Sequence, residues 1–161
     1  MRDFARGPES FLRSNPVGHV TASAIVADAD RAVVLLVSHA RLGGWLQPGG
    51  HVEPEDESTF AAALREVREE TGLERFAAPI GRAILDLDVH GIPALGEEPP
   101  HLHFDVKHLL VAEGGEAPVA AARWFSFDEI PALDRDGSLT RAVRKARVRL
   151  GGALRGLQCS R

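Results

Sequence analysis

Apolar and polar positions along the chain fall into blocks of different period, and each block predicts an element. His19–Val26 and Ala32–Val37 are rich in Val, Ile and Ala and are separated by Asp28-Ala29-Asp30, so they read as two strands of a hairpin. Ser58–Thr71 follows the helical period: Phe60, Ala63, Leu64, Val67 and Thr71 share one face, Ser58 is the expected N-cap, and Gly72 is the expected stop. Leu85–His90 and His101–Leu110 alternate with period two and predict half-buried strands. Leu85, Leu87 and Val89 oppose Asp86, Asp88 and His90; likewise Leu102, Phe104 and Val106 oppose His101, His103, Asp105 and Lys107. Ala120–Phe127 is a further strand, with Asp128 as the cap of a short turn at Glu129-Ile130.

The last helical pattern starts at Ser138 and runs to Leu150 or beyond. Its apolar stripe is Leu139, Val143, Ala146, Leu150 and Leu154, Gly151-Gly152 weakens its final turns, and Arg141, Arg144 and Lys145 lie opposite. Residues 1–16 form a lead-in with a short helix around Glu9–Arg13, and 17–161 form one domain. Strands before, between and after two helices predict an α/β fold, a mixed sheet sandwiched by helices. Between the hairpin and the first helix, Arg41–Gly50 reads RLGGWLQPGG; its four glycines and Pro48 mark close backbone approach rather than a regular element.

The length of 161 residues, with 44% apolar and 26% charged, excludes disorder, collagen and coiled coil and suffices for one core without staples. The single Cys159 closes no intramolecular disulfide, and no apolar run marks a signal peptide or membrane anchor in MRDFARGPESFLRSNP, so the expected location is cytoplasmic. Net charge is −4, but residues 139–161 hold seven Arg or Lys and no acid, leaving 12 basic against 23 acidic residues over 1–138. So acidic a body argues against a nucleic-acid partner, whose phosphates need neutralising cations. The basic run reads as a solvated helix face, with an electrostatic collar for anionic substrates as the alternative.

The face of the Ser58–Thr71 helix away from its apolar stripe carries the chemistry. Glu66, Glu69 and Glu70 fan across about 100° of one side. Glu66 and Glu70 are like charges at i,i+4, and Glu69 and Glu70 sit in the last turn, where the helix dipole disfavours anions. Arg65 can pair with Glu69 but leaves the other two repelling each other. A divalent cation resolves the conflict, and clustered carboxylates favour Mg²⁺ or Mn²⁺.

Gly50-His-Val-Glu-Pro-Glu-Asp-Glu57, seven residues, then Arg65-Glu-Val-Arg-Glu-Glu-Thr-Gly-Leu73 resembles the Nudix box of the Nudix hydrolases. That pattern is Gly, five residues, Glu, seven residues, Arg-Glu-aliphatic-any-Glu-Glu-any-Gly-aliphatic. Every defined position from Arg65 to Leu73 matches. The first half carries one extra residue, so that either Glu57 or Asp56 takes the first acidic position. The flanking order of elements is similar to the family's α/β/α sandwich. The resemblance implies a Mg²⁺-dependent hydrolase that cleaves a pyrophosphate bond in a nucleoside diphosphate linked to another moiety: a nucleoside triphosphate, ADP-ribose, a nucleotide sugar or a dinucleotide. It further implies that Glu66, Glu69, Glu70 and the Gly49 carbonyl hold the metal and that Arg65 orients the glutamates. The base it implies is a box glutamate, Glu66 first, or an acid from a distant loop; Glu97 and Glu98 of the loop Gly91–Pro100 are the loop candidates and candidate substrate contacts, though exposed loop acids are the simpler reading of each. Many relatives are homodimers.

His51, His101 and His103 are the expected substrate contacts, and a His/Asp cluster shared by the two alternating strands is an alternative second metal site, though an ordinary hydrated strand face is the simpler reading. Trp45 and Trp124 read as core or sheet-face residues, with base stacking as the alternative. Two rival functions remain: a nucleotide sensor without catalysis, against which the intact Arg65, Glu66, Glu69 and Glu70 argue, and an RNA-processing pyrophosphohydrolase using the Arg141–Arg155 helix, whose RNA binding would fall steeply with salt.

Overall fold

In the computed structural model, the described residues are 4, 7, 9–28, 30, 32–39, 43–94, 96, 98–113 and 119–158, with the side chains of 152–158 excluded. Ala29, Arg41, Leu42, Glu97 and Cys159, and the side chains of Leu154 and Arg155, therefore lie outside the described residues.

The elements in chain order are β1 (Gly18–Asp28), β2 (Val33–Ser38), β3 (Trp45–Leu46), β4 (Gly49–His51), α1 (Thr59–Thr71), β5 (Phe76–Ala77), β6 (Asp86–Ile92), β7 (His101–Ala112), β8 (Ala122–Ser126), α2 (Ile130–Leu133) and α3 (Ser138–Gln158). β1 and β2 form the expected antiparallel pair, with Val26 opposite Leu35. β1 also pairs in parallel with β7, from Gly18 opposite Leu102 to Ala27 opposite Val111, which makes the sheet mixed. β6 pairs antiparallel with β7, placing His90 opposite His103 and Asp88 opposite Asp105.

Helix α1 begins and ends as its sequence dictates. The Ser58 hydroxyl accepts the Ala61 N–H at 3.2 Å, and Gly72 terminates the helix at φ 70°. Of its expected apolar stripe, Ala63 and Val67 are buried and, with Ala62, pack on Ala22, Ala24 and Val26 of β1, while Phe60 and Leu64 are half-buried at the margin. The opposite face of the sheet, through Ile25, Leu36 and Leu109, packs on Leu139, Ala142, Val143 and Ala146 of α3. One layer of helix on each face of the sheet gives an α/β/α sandwich.

Several expectations change. The glycine-rich segment ending at Gly50, expected to hold no regular element, carries β3 and the start of β4. The segment around Glu9–Arg13 forms successive turns, with Leu12 N–H bonded to the Glu9 carbonyl, rather than a helix. The side chain that closes the turn before α2 is Glu129, whose carboxylate accepts both the Ser126 N–H and its hydroxyl, and not Asp128. Alternation does not tell which face is buried: β6 hides its polar face, and β7 hides both faces from Phe104 onward. Asp86, Asp105 and Lys107 are buried, whereas Leu87, Val89 and Leu102 are exposed. The reason is coverage. α1 spans β1 but not β6, so on its side only Phe104 and Val106 are roofed, by Phe4 and Val52. On the other side α3 draws the acids inward through Arg141 and Lys145. Arg141 Nε lies 2.9 Å from Asp86, its Nη2 lies 2.8 Å from Asp88, and Lys145 Nζ lies 2.6 Å from Asp86. This part of the basic run is thus a clamp on β6, not only a solvated face.

Candidate active site

The loop from Leu46 to Ser58 carries β4 alongside β1, with Ser23 opposite Gly49 and Thr21 opposite His51. Two glycines are required there. A Cβ on Gly49 would stand 2.4 Å from Ser23 Cβ, and one on Gly50 would stand 2.6 Å from Glu66 Oε1. Their bare backbone lets α1 bring its carboxylates against β4. Glu70 Oε2 accepts the Gly49 N–H at 3.0 Å, and Glu66 lies against Gly50.

Arg65 ties this arrangement together. Its Nη1 reaches Glu66 Oε1 at 2.8 Å and Glu69 Oε2 at 3.3 Å, and its Nη2 donates to the His51 carbonyl at 2.9 Å. Nη2 and Nε also grip Asp56, at 2.9 and 3.3 Å. Of the two acids left open for the first position of the box, Asp56 therefore holds the arginine, while Glu57 is exposed. The Arg65 hydrogen bonds hold the Asp56 carboxyl below its usual range.

Burial raises the Glu66 pKa against the opposing pull of Arg65. It raises that of Glu70 too, with the charges of Glu66 and Glu69 adding to the effect and the Gly49 hydrogen bond opposing it. Both acids thus sit close to other anions without enough cations to neutralise them. Glu69 is more exposed and is held by Arg65 alone among the groups named here.

Glu70 opens into a cavity of ≈ 250 Å³, shared with Gly49, His51, His103, His90 and Asp105. A neighbouring cavity of ≈ 360 Å³ shares Leu46, Gln47 and His90 with it and extends to Trp45, Asp134 and Arg135. A larger cavity, ≈ 580 Å³, lies along Phe11, Leu12, Val52 and Pro54 and includes none of the three glutamates. Of the expected substrate contacts, His51 and His103 line the smallest of these cavities. The structure puts His101 beside His103, with 3.3 Å between their Nε2 atoms. Glu98 instead faces Arg13 at 3.5 Å, and Glu97 lies outside the described residues. Trp45 packs edge-on against Phe125, and Trp124 packs against the core under α1.

The sequence reading missed two features of the site. His19 of β1 is fully buried, and its ring lies 4.8 Å from those of His51 and His103. Burial and the neighbouring imidazoles lower its pKa to about 4, and burial lowers that of His103 to about 3, so both rings are neutral at pH 7. Asp105 and Lys107 form a fully buried ion pair at 2.8 Å, to which Ser23 and Thr21 add hydroxyl hydrogen bonds at 2.8 and 3.3 Å. The period-two run His19, Thr21, Ser23 was the available signal: one face of β1 is polar at its start and needs polar partners.

A NUDIX domain model matches residues 17–145. Similar solved structures include an Ap4A hydrolase of C. elegans, 18% identical over 78% of this chain and 93% of that one, with a TM-score of 0.57. A NUDIX hydrolase from Nitrosomonas europaea is 26% identical over 80% and 88%, with a TM-score of 0.51. Shewanella oneidensis NrtR is 23% identical over 83% and 64%, with a TM-score of 0.53. The chain belongs to the Nudix family. It is a Nudix pyrophosphohydrolase, an enzyme that hydrolyses pyrophosphate linkages in nucleotide derivatives. Among the described residues no helix is long and apolar enough to cross a membrane.

Proposed function

We propose that the chain is a Mg²⁺-dependent hydrolase of a nucleoside diphosphate linked to another moiety, and that Glu66, Glu69, Glu70 and the Gly49 carbonyl hold the metal. The observation that carries this reading is the approach of two half-buried, mutually repelling carboxylates, Glu66 and Glu70, to a glycine pair that leaves no side chain between them and β4. The donor set is all oxygen, which suits a hard ion such as Mg²⁺ or Mn²⁺. When bound, the metal would neutralise pyrophosphate charge and acidify the attacking water.

The protein's own groups supply the rest. Arg65 fixes Glu66 in place, sharing its guanidinium with Asp56 and the His51 carbonyl so that it has no freedom to swing away. Glu66, whose pKa is raised by burial, is the base that takes the proton of the water. The phosphates lie in the cavity of Glu70, His51 and His103, and the adjoining cavity toward Trp45 and Arg135 takes the remaining moiety. Nucleoside triphosphates, ADP-ribose, nucleotide sugars and dinucleotides are the candidate substrates. The Ap4A hydrolase of C. elegans adds dinucleoside polyphosphates to the compounds to try first.

The test is turnover on that panel with and without Mg²⁺, with Glu70→Gln alongside. Metal-dependent cleavage of one compound, lost in the variant while its circular dichroism stays unchanged, supports the assignment. Near wild-type activity in Glu70→Gln would overturn it.

A further inference from the structure

The carboxylate cluster is not the only ligand set beside the cavity that Glu70 lines. Five histidines converge where β1, β4, β6 and β7 meet. The ring of His19 lies 4.8 Å from those of His51 and His103 and 5.0 Å from that of His101, and the ring of His90 lies 5.5 Å from that of His103. The acids on the same face are already engaged. Asp86 and Asp88 are held by Arg141 and Lys145, and Asp105 by Lys107, Ser23 and Thr21. What remains is imidazole.

His19 sets the problem. It is fully buried, and neither of its ring nitrogens has a hydrogen-bond partner among the described residues. A buried nitrogen pair of this kind calls for a water or an ion. Ligand atoms of His19, His51 and His103 all lie within 4.8 Å of one another. Three nitrogens around a tetrahedral zinc at ~2.0–2.1 Å stand about 3.3 Å apart, so small side-chain movements close the set.

His101 is placed to orient His103 from behind. Its Nδ1 faces the Pro99 carbonyl at 2.9 Å, which leaves the lone pair on Nε2, the atom 3.3 Å from His103 Nε2.

We propose that His19, His51 and His103 form a transition-metal site, with zinc as its natural occupant because imidazole nitrogen suits zinc where the oxygen set of α1 suits magnesium. The site ties β1, β4 and β7 together. With three protein ligands it keeps a fourth position, which opens toward the cavity containing Glu70 and accepts an oxygen of the phosphorylated substrate. The proposal is independent of which ion α1 holds.

The experiment is metal retention by the full chain, prepared without a histidine tag, incubated with zinc, desalted and measured by elemental analysis. The wild type is expected to keep about one zinc per chain, and its Co²⁺ form to show the intense visible bands of a four-coordinate ion. A Glu66→Gln/Glu70→Gln variant is expected to keep the zinc, and a His19→Ala/His103→Ala variant to lose it together with any zinc-induced rise in Tm. Should that variant fail to fold, His51→Ala at its half-buried position gives the same reading. The site is disproved by any of three results: no zinc held by the wild type, equal retention after removal of the histidines, or loss of zinc on changing the glutamates alone.

Discussion

Arg65 holds Asp56 with two nitrogens, Nη2 to Oδ2 at 2.9 Å and Nε to Oδ1 at 3.3 Å, across nine positions of sequence. This fork leaves the extra residue of the box outside it: the chain bends at Glu57 and Ser58, and Glu57 faces solvent. Asp56→Asn is therefore expected to lower kcat by about 10–100-fold by loosening the arginine that orients Glu66, while Glu57→Gln leaves kcat within about twofold. Arg65→Lys should resemble Asp56→Asn, because an ammonium cannot serve Asp56, Glu66 and the His51 carbonyl together. Steady-state kinetics on the three variants checks the set.

The same pair predicts a pH response. The folded pKa of Asp56 lies below its ordinary value of 3.8, mainly through its hydrogen bonds to Arg65. A depressed carboxylate contributes stability that is complete above the unfolded pKa and disappears as pH falls through the folded one. The stability gap between wild type and Asp56→Asn should be constant from neutrality to roughly pH 5 and close at lower pH. Thermal melts across that range measure it.

Gly50→Ala tests the close approach of α1 to β4. Its Cβ would meet Glu66 Oε1 at 2.6 Å, and a flexible carboxylate can swing aside, so the fold should survive. A shift of about 1 Å in that group is expected to cost about 100-fold in kcat. An unchanged kcat would show that the position of Glu66 is not critical.

Lys107 is expected to be among the most sensitive positions outside the helix. Lys107→Met leaves Asp105 buried without its cation and should cost about 3–5 kcal/mol in a denaturant melt. Adding Asp105→Asn should recover part of that loss, since the stranded charge goes with it.

Helix α1 and the clustering of its glutamates were legible because both are local: cap, stripe and glutamate spacing lie within one short stretch. The inverted burial of β6, and the burial of both faces of β7, were not. Alternation reveals two faces but not which face a distant helix covers, and here α3 reaches across to Asp86 from Arg141. His19 escaped notice for the same reason. The residue opposite it, His103, comes from a parallel strand that sequence spacing does not pair with it.

The parallel seam between β1 and β7 also sets an order of events as the chain is made. α1 has local caps, but at 13 residues it is marginal alone and becomes firm only once it packs on β1. Its carboxylates then have only the β4 side of their site. The other side awaits the joining of Thr21 to Asp105, 84 residues apart, a closure that is entropically slow and is possible only after most of the chain has left the ribosome. Until then the polar face of β1 has no partner. The emerging chain is therefore most exposed to misfolding in the interval before β7 closes on β1.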